Sequence, residues 1–161
     1  MVQTQIRFNK PVPKHFEVKG TTGEELLAAL ENHGHAGSFK PYVQLAVAPS
    51  KEAIEVVKIG CDPIMMLPQW KGVSKADPQL KKGWQKTVAL AKNHEMAHFK
   101  DFKARFKDLV KAIGEAETLD EKGLRKLFLD YRLQGIADKH ELHEKRLDRD
   151  WKKIKKFLTG K

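Results

Sequence analysis

DPQLKKGWQKTVALAKNHEMAHFKDFKARFKDLVKAI, residues 77–113, is the stretch on which the fold of this chain turns. Asp77 suits an N-cap, and Pro78 suits the first helical position, where an N–H would have had no intrahelical partner. Apolar residues then recur at Leu80, Trp84, Val88, Ala91, Phe102, Phe106, Leu109 and Ile113 with the spacing of one helix face. Between Ala91 and Phe102 that face is interrupted by His94, Glu95 and His98. Polar side chains on a core-facing stripe are costly unless a partner satisfies them.

The interruption has the form H-E-x-x-H: His94-Glu95-Met96-Ala97-His98. Residues four apart on a helix lie one turn above each other, so two imidazoles can grip one ion. The intervening glutamate points toward the remaining coordination position, where it can accept a proton from water. The spacing therefore predicts zinc ligands at His94 and His98 and a catalytic carboxylate at Glu95. A helix with two partly buried, hydrogen-bonded histidines is the bland alternative.

A catalytic zinc site uses three protein ligands. A third histidine six residues after His98 is absent, because position 104 is Ala. Cys61 is the only cysteine, which excludes an internal disulfide and a cysteine-rich zinc site. A lone buried thiol is the expected state of Cys61. The further ligand is expected from GIADKHELHEKRL, residues 135–147. There Leu129, Leu133, Ile136, Leu147, Trp151, Ile154 and Leu158 form a second helical stripe, with His140, His143 and Glu144 on its core-facing side. Asp138 stands roughly 100–200° around the helix from that line. This second long helix is expected to begin near Thr118, in a capping box with Glu121, and to run to Thr159-Gly160. A metal bridging the two helices requires that they pack antiparallel.

The first half of the chain reads as mixed. Residues 5–19 suggest an edge strand or two short extended pieces. Thr22 and Glu25 form a capping box for a short helix with Leu26, Leu27 and Leu30 on one face, stopped at Gly34. Residues 41–48 alternate with a period of two, and extended runs follow at Ile54–Ile59 and Ile64–Leu67, the last ended by Pro68. The fold class expected is α+β and zincin-like, in a single domain over residues 1–161. It has a small N-terminal mixed sheet of three or four strands with a short helix, then two long packed helices.

Composition fits a globular domain, with hydrophobic residues at 40% and charged residues at 32%. No apolar run reaches the roughly 18 residues of a membrane span. The start, MVQTQIRFNK, has no apolar core and no cleavage site, so no signal peptide is read; a cytoplasmic protein and a mature secreted form both stay open. The net charge of +10 points in principle to polyanions. Much of the excess is lysine along helical segments, as at Lys152, Lys153, Lys155 and Lys156, without the aromatic interleaving of a nucleic-acid module. A solvated helix face is expected instead.

Several short stretches resemble a bacterial family of secreted zinc-dependent proteases catalogued as a domain of unknown function. They are Gly20-Thr21-Thr22 before Glu25-Leu26, Leu67-Pro68-Gln69-Trp70, Trp84 ahead of the histidine motif, and Asp138 with His143 in the C-terminal segment. The family's closing motif is Tyr-Asp-x-x-Thr-x-His-Gly; here its Tyr, Thr and Gly positions are replaced by Ala137, Glu141 and Glu144. The resemblance covers nearly the whole chain and implies a secreted or periplasmic zinc metallopeptidase acting on a peptide or protein substrate. It implies that Asp138 and His143 belong to the site and favours His143 over His140 as third ligand. Asp138 then orients an imidazole, or is itself the ligand. Tyr131, Arg132 and His140 are candidates to stabilise an oxyanion. The Ile64–Leu67 run is the candidate strand for pairing with a substrate backbone. The rival readings are an inactive zincin-scaffold binding protein and a basic helical nucleic-acid binder. The charge pattern generates a test of the last: binding to duplex DNA should be weak and salt-sensitive, about 10⁻⁴ to 10⁻⁶ M at physiological salt. Sequence-specific nanomolar binding in a fluorescence-anisotropy titration would install the nucleic-acid reading instead.

Overall fold

The computed structural model describes residues 1–49, 53–131, 133 and 140–161, with side chains described for all of these except 49 and 140–146. Strands β1 (Gln3–Phe8) and β2 (Val12–Val18) precede helix α1 (Gly23–His33). Strands β3 (Ser38–Lys40), β4 (Val43–Pro49), β5 (Ile54–Cys61) and β6 (Ile64–Trp70) follow, then a 3-10 turn at Lys71–Lys75. The rest is helical: α2 (Pro78–Glu115), α3 (Glu121–Asp130) and α4 (His140–Thr159). The architecture is α+β, with small sheets and long helices. Among the described residues no helix is long and apolar enough to cross a membrane.

The strands form two three-stranded sheets, ordered β1-β5-β4 and β2-β6-β3, where one small sheet was expected. Both passages from the first sheet to the second, β1 to β2 and β5 to β6, carry a proline, Pro11 and Pro63. A residue without an N–H cannot continue a ladder, so the chain leaves its sheet there. Pro68, by contrast, does not end the third run, because β6 continues to Trp70. Its neighbour β3 is only three residues long, so β6 is not flanked on that side along its whole length.

Chain contacts divide the molecule into two compact units. The first comprises Met1–Val12, Lys40–Ile64 and Ala97–Ile136. In its sheet β5 is central, parallel to β1 and antiparallel to β4. Phe8 of β1 lies against Phe99, Phe102 and Phe106, with ring centroids 5.9, 6.4 and 4.9 Å away, so the apolar stripe of α2 finds its cover there. The alternation in β4 is real, but its apolar side chains are not fully covered. Leu45 and Val47 remain 46% and 43% exposed and line an open cleft of about 540 Å³ with Leu124 and Phe128.

Helix α3 begins two residues later than its sequence suggests. Asp120, not Thr118, is the N-cap, accepting from the Gly123 N–H at 2.6 Å. The reason is long-range: the Leu119 carbonyl accepts from the Ile54 N–H of β5 at 2.7 Å and cannot serve a helical turn. The expected second long helix is also two helices, α3 ending at Asp130 with Tyr131 as its C-cap, and α4 beginning at His140.

The second unit comprises Pro13–Phe39, Met65–Met96 and Ala137–Lys161. Its core gathers Val18, Leu26, Leu30, Trp70, Trp84, Ile154 and Leu158. Helix α1 opens on the expected capping box: the Thr22 hydroxyl accepts from the Glu25 N–H, and the Glu25 carboxylate accepts from the Thr22 N–H. It closes at Gly34, whose φ of 86° lies in the left-handed region that glycine enters without strain. The Trp70 indole donates to the Gly20 carbonyl at 2.9 Å and meets Trp84 edge-on at 5.7 Å.

Cys61 is fully buried, and its thiol donates to the Pro41 carbonyl at 3.0 Å. Burial, and then the neighbouring Asp62 charge, push the thiol pKa up to about 12. The thiolate is the reactive form, so at pH 8 the folded protein should resist iodoacetamide and become labelled only on unfolding. Native labelling at the rate of a free cysteine, followed by mass spectrometry, would contradict this placement.

Candidate metal and catalytic site on helix α2

Helix α2 starts as its sequence dictates, with the Asp77 carboxylate accepting from the N–H groups of Gln79 and Leu80, each at 3.0 Å. Seventeen and eighteen residues after this cap, that is at positions 94 and 95, the polar interruption of the stripe turns inward. His94 is 8% exposed and Glu95 5%, and His98, one turn further along the same continuous helix, is half-buried.

His94 is not left to face apolar neighbours. Its Nδ1 lies 3.1 Å from Oδ2 of Asp150 on α4, and both groups are buried. A carboxylate only accepts, so in the neutral ring the proton sits on Nδ1 and the lone pair is left on Nε2. That is the arrangement of a metal-ligating histidine, whose second ring nitrogen donates to a carboxylate that orients the ring.

The register of α4 is set at a second point. A Cβ on Gly83 of α2 would collide with the Phe157 carbonyl, and one on Gly23 of α1 with the Leu158 carbonyl, so α4 sits directly on glycine backbone. On α2 the two contacts run from 83 to 94, and on α4 from 157 back to 150. Within this unit the two helices are therefore antiparallel, as the two interrupted stripes require. Thr87, between these points and fully buried, turns its hydroxyl back to the Gly83 carbonyl at 3.0 Å.

The chain leading into β3 comes close to Glu95. Gly37 is buried there, and a Cβ placed on it would meet the Glu95 side chain and the Met66 carbonyl first. Ala36 and Met96, which flank Gly37 and Glu95 in sequence, pack on one cluster with Met65, Leu67 and Ala91.

The remaining expected site residues fall elsewhere. Asp138 and Arg132 lie outside the described residues, as do the side chains of His140 and His143 in the opening turns of α4. Among the described residues, no three His, Cys, Asp or Glu side chains converge as a complete metal set. Tyr131 is partly buried and caps α3, its N–H donating to the Leu127 and Leu129 carbonyls. The Ile64–Leu67 run lies in β6, the central strand of its sheet, although the three-residue β3 cannot flank it along its whole length.

Asp150 is the residue that the sequence pattern held without its being singled out. It falls among Leu147, Trp151 and Ile154 on the apolar stripe of α4, the same kind of interruption that marks His94.

A family model described as a bacterial protein of unknown function (DUF922) matches residues 13–153, a range that contains His94, Glu95, His98 and Asp150. No curated protein and no solved structure matches the chain.

The His94–Asp150 contact predicts a cost for removing either partner. Asp150→Ala should lower stability to urea by about 1–3 kcal/mol, because the buried imidazole loses the acceptor at its Nδ1. An unchanged unfolding midpoint would show that the contact contributes nothing.

Proposed function

The chain belongs to this bacterial family of unknown function, and we propose that it is a zinc-dependent metallopeptidase of the zincin type. The observation that carries this reading is the buried pair His94–Asp150 at 3.1 Å on a helix that also presents Glu95 and His98. A structural histidine needs only some partner. Here the partner is a buried carboxylate on Nδ1, which selects the tautomer that a metal requires at Nε2.

In this reading His94 and His98 are two ligands and His143 is the third, with Asp138 either orienting an imidazole or replacing it. Positions 143 and 150 are seven apart on α4, two turns along one face, so the face that carries Asp150 to His94 also carries position 143. The donor set of nitrogen and oxygen groups suits zinc. Bound there, zinc supplies a Lewis acid that acidifies water and polarises a peptide carbonyl.

The chain's own residues do the rest. Glu95 accepts the proton of the attacking water and delivers it to the leaving amine, a task for a carboxylate within hydrogen-bond reach of both. Asp150 keeps the His94 ring from turning. The extended backbone of a peptide substrate is accommodated at a sheet edge, which moves from β6 to β3: β3 is an edge strand, and a Cβ on Gly37, immediately before it, would stand 3.1 Å from Cγ of Glu95. Secretion or a periplasmic location accords with the resemblance read from the sequence.

Metal analysis and casein hydrolysis test the reading together. Protein purified without chelator should hold about one zinc per chain. Glu95→Gln should keep the zinc and the fold and lose hydrolysis, because an amide cannot accept the proton. His94→Ala and His143→Ala should lose the metal, and Asp138→Ala should lower its affinity about 10–100-fold if it only orients a ligand. Absence of zinc, or undiminished hydrolysis by Glu95→Gln, would remove the proposal.

A further inference from the structure

Glycine at position 37 is not required by the backbone. Among the described residues only Gly34 and Gly160 combine glycine with a positive φ, so position 37 has a conformation that alanine adopts without strain. What opposes a side chain there is space. A Cβ on Gly37 would stand 3.1 Å from Cγ of Glu95, 3.2 Å from its Oε1, and 3.2 Å from the Met66 carbonyl oxygen.

Neither neighbour has a simple way to retreat. Met66 belongs to β6, the strand between β2 and β3, and its carbonyl is backbone, which cannot turn aside as the end of a side chain can. Glu95 is 5% exposed on a helix anchored beside it by Ala91 and Met96 against Met65 and Leu67. Ala36 packs on that same cluster, which anchors the chain just before Gly37. The flexible member of the contact is the Glu95 carboxylate, and it would have to yield by a few tenths of an ångström.

We propose that Gly37 is a positioning residue for Glu95: a bare backbone wall between the Met66 carbonyl and the carboxylate. It leaves Glu95 where it must stand to exchange protons, and a Cβ there would press the carboxylate aside. The proposal rests on the metallopeptidase reading for the meaning of that position, though not for the contact itself. A general base acts within a hydrogen bond of about 2.6–3.2 Å, so displacing it sideways removes catalysis without removing substrate binding.

Gly37→Ala is the test, read in two ways. In the zinc-loaded protein, kcat on a peptide substrate should fall about 10–100-fold, with KM changed less than about threefold and zinc content retained. An unchanged kcat, or a loss confined to KM, overturns the proposal. The second reading needs neither metal nor turnover. In metal-free protein Gly37→Ala should lower the melting temperature by about 3–6 °C. In a Glu95→Ala background it should lower it by less than half as much, because Cγ and Oε1 are gone and the two sites are coupled. Equal losses in both backgrounds would assign the crowding to the Met66 carbonyl alone and overturn it. If Gly37→Ala fails to fold, the double variant decides: a folded double variant supports the contact, and an unfolded one refutes it. Wild-type protein that holds zinc and hydrolyses nothing would sink the metallopeptidase reading while the coupling of 37 and 95 stood.

Discussion

The contact between His94 and Asp150 constrains the second unit more than any apolar pair in it. Two polar side chains are buried, and a buried polar group that loses a hydrogen-bond partner costs about 1–3 kcal/mol at most when no other partner serves it. Apolar packing tolerates sliding by a residue, since one leucine can replace another in a groove. A carboxylate that must meet one ring nitrogen cannot slide. Helix α4 is held in that register at its far end as well, where its last carbonyls rest on the bare Cα atoms of Gly83 and Gly23. The polar pair and the two glycines together leave α4 a single position against α2 and α1.

Of the residues that carry the resemblance, Gly20, Thr22, Glu25, Trp70 and Trp84 build this unit. Gly20 offers its carbonyl to the Trp70 indole, Trp70 lies edge-on to Trp84, and Thr22 with Glu25 opens the helix that packs on α4. The Glu25 carboxyl is held below the usual carboxylate range by the hydrogen bonds it accepts from Thr21 and then Thr22. Short stretches far apart in sequence therefore converge on one core, the one that carries the N-terminal half of α2 up to Glu95. The aromatic pair fixes the helix, and the helix presents the polar residues.

The first unit shows the same economy with different chemistry. Phe8 of its sheet is placed among three phenylalanines in the C-terminal half of α2. The Ile54–Leu119 hydrogen bond ties β5 to the chain just ahead of α3 and decides where that helix starts. Surface ion pairs such as Arg7–Asp62 at 2.7 Å are exposed and add little to stability.

The sequence by itself determined the elements whose causes are local. The caps at Thr22 and Asp77, the stop at Gly34 and the long apolar period of α2 arise from residues within a turn or two of each other. The H-E-x-x-H spacing was equally legible, because four residues on a helix define a face without reference to the rest of the chain. What only the tertiary structure decided were the features set by distant partners. The late start of α3 depends on a strand some sixty residues earlier, and the division into two sheets depends on which strands find each other. Asp150 looked like any charged residue on a lysine-rich helix until His94 came to lie beside it. Gly37 looked like a loop glycine until Glu95 did the same. A sequence displays periodicity and spacing, whereas the partner of a buried polar group is chosen by packing between segments far apart along the chain.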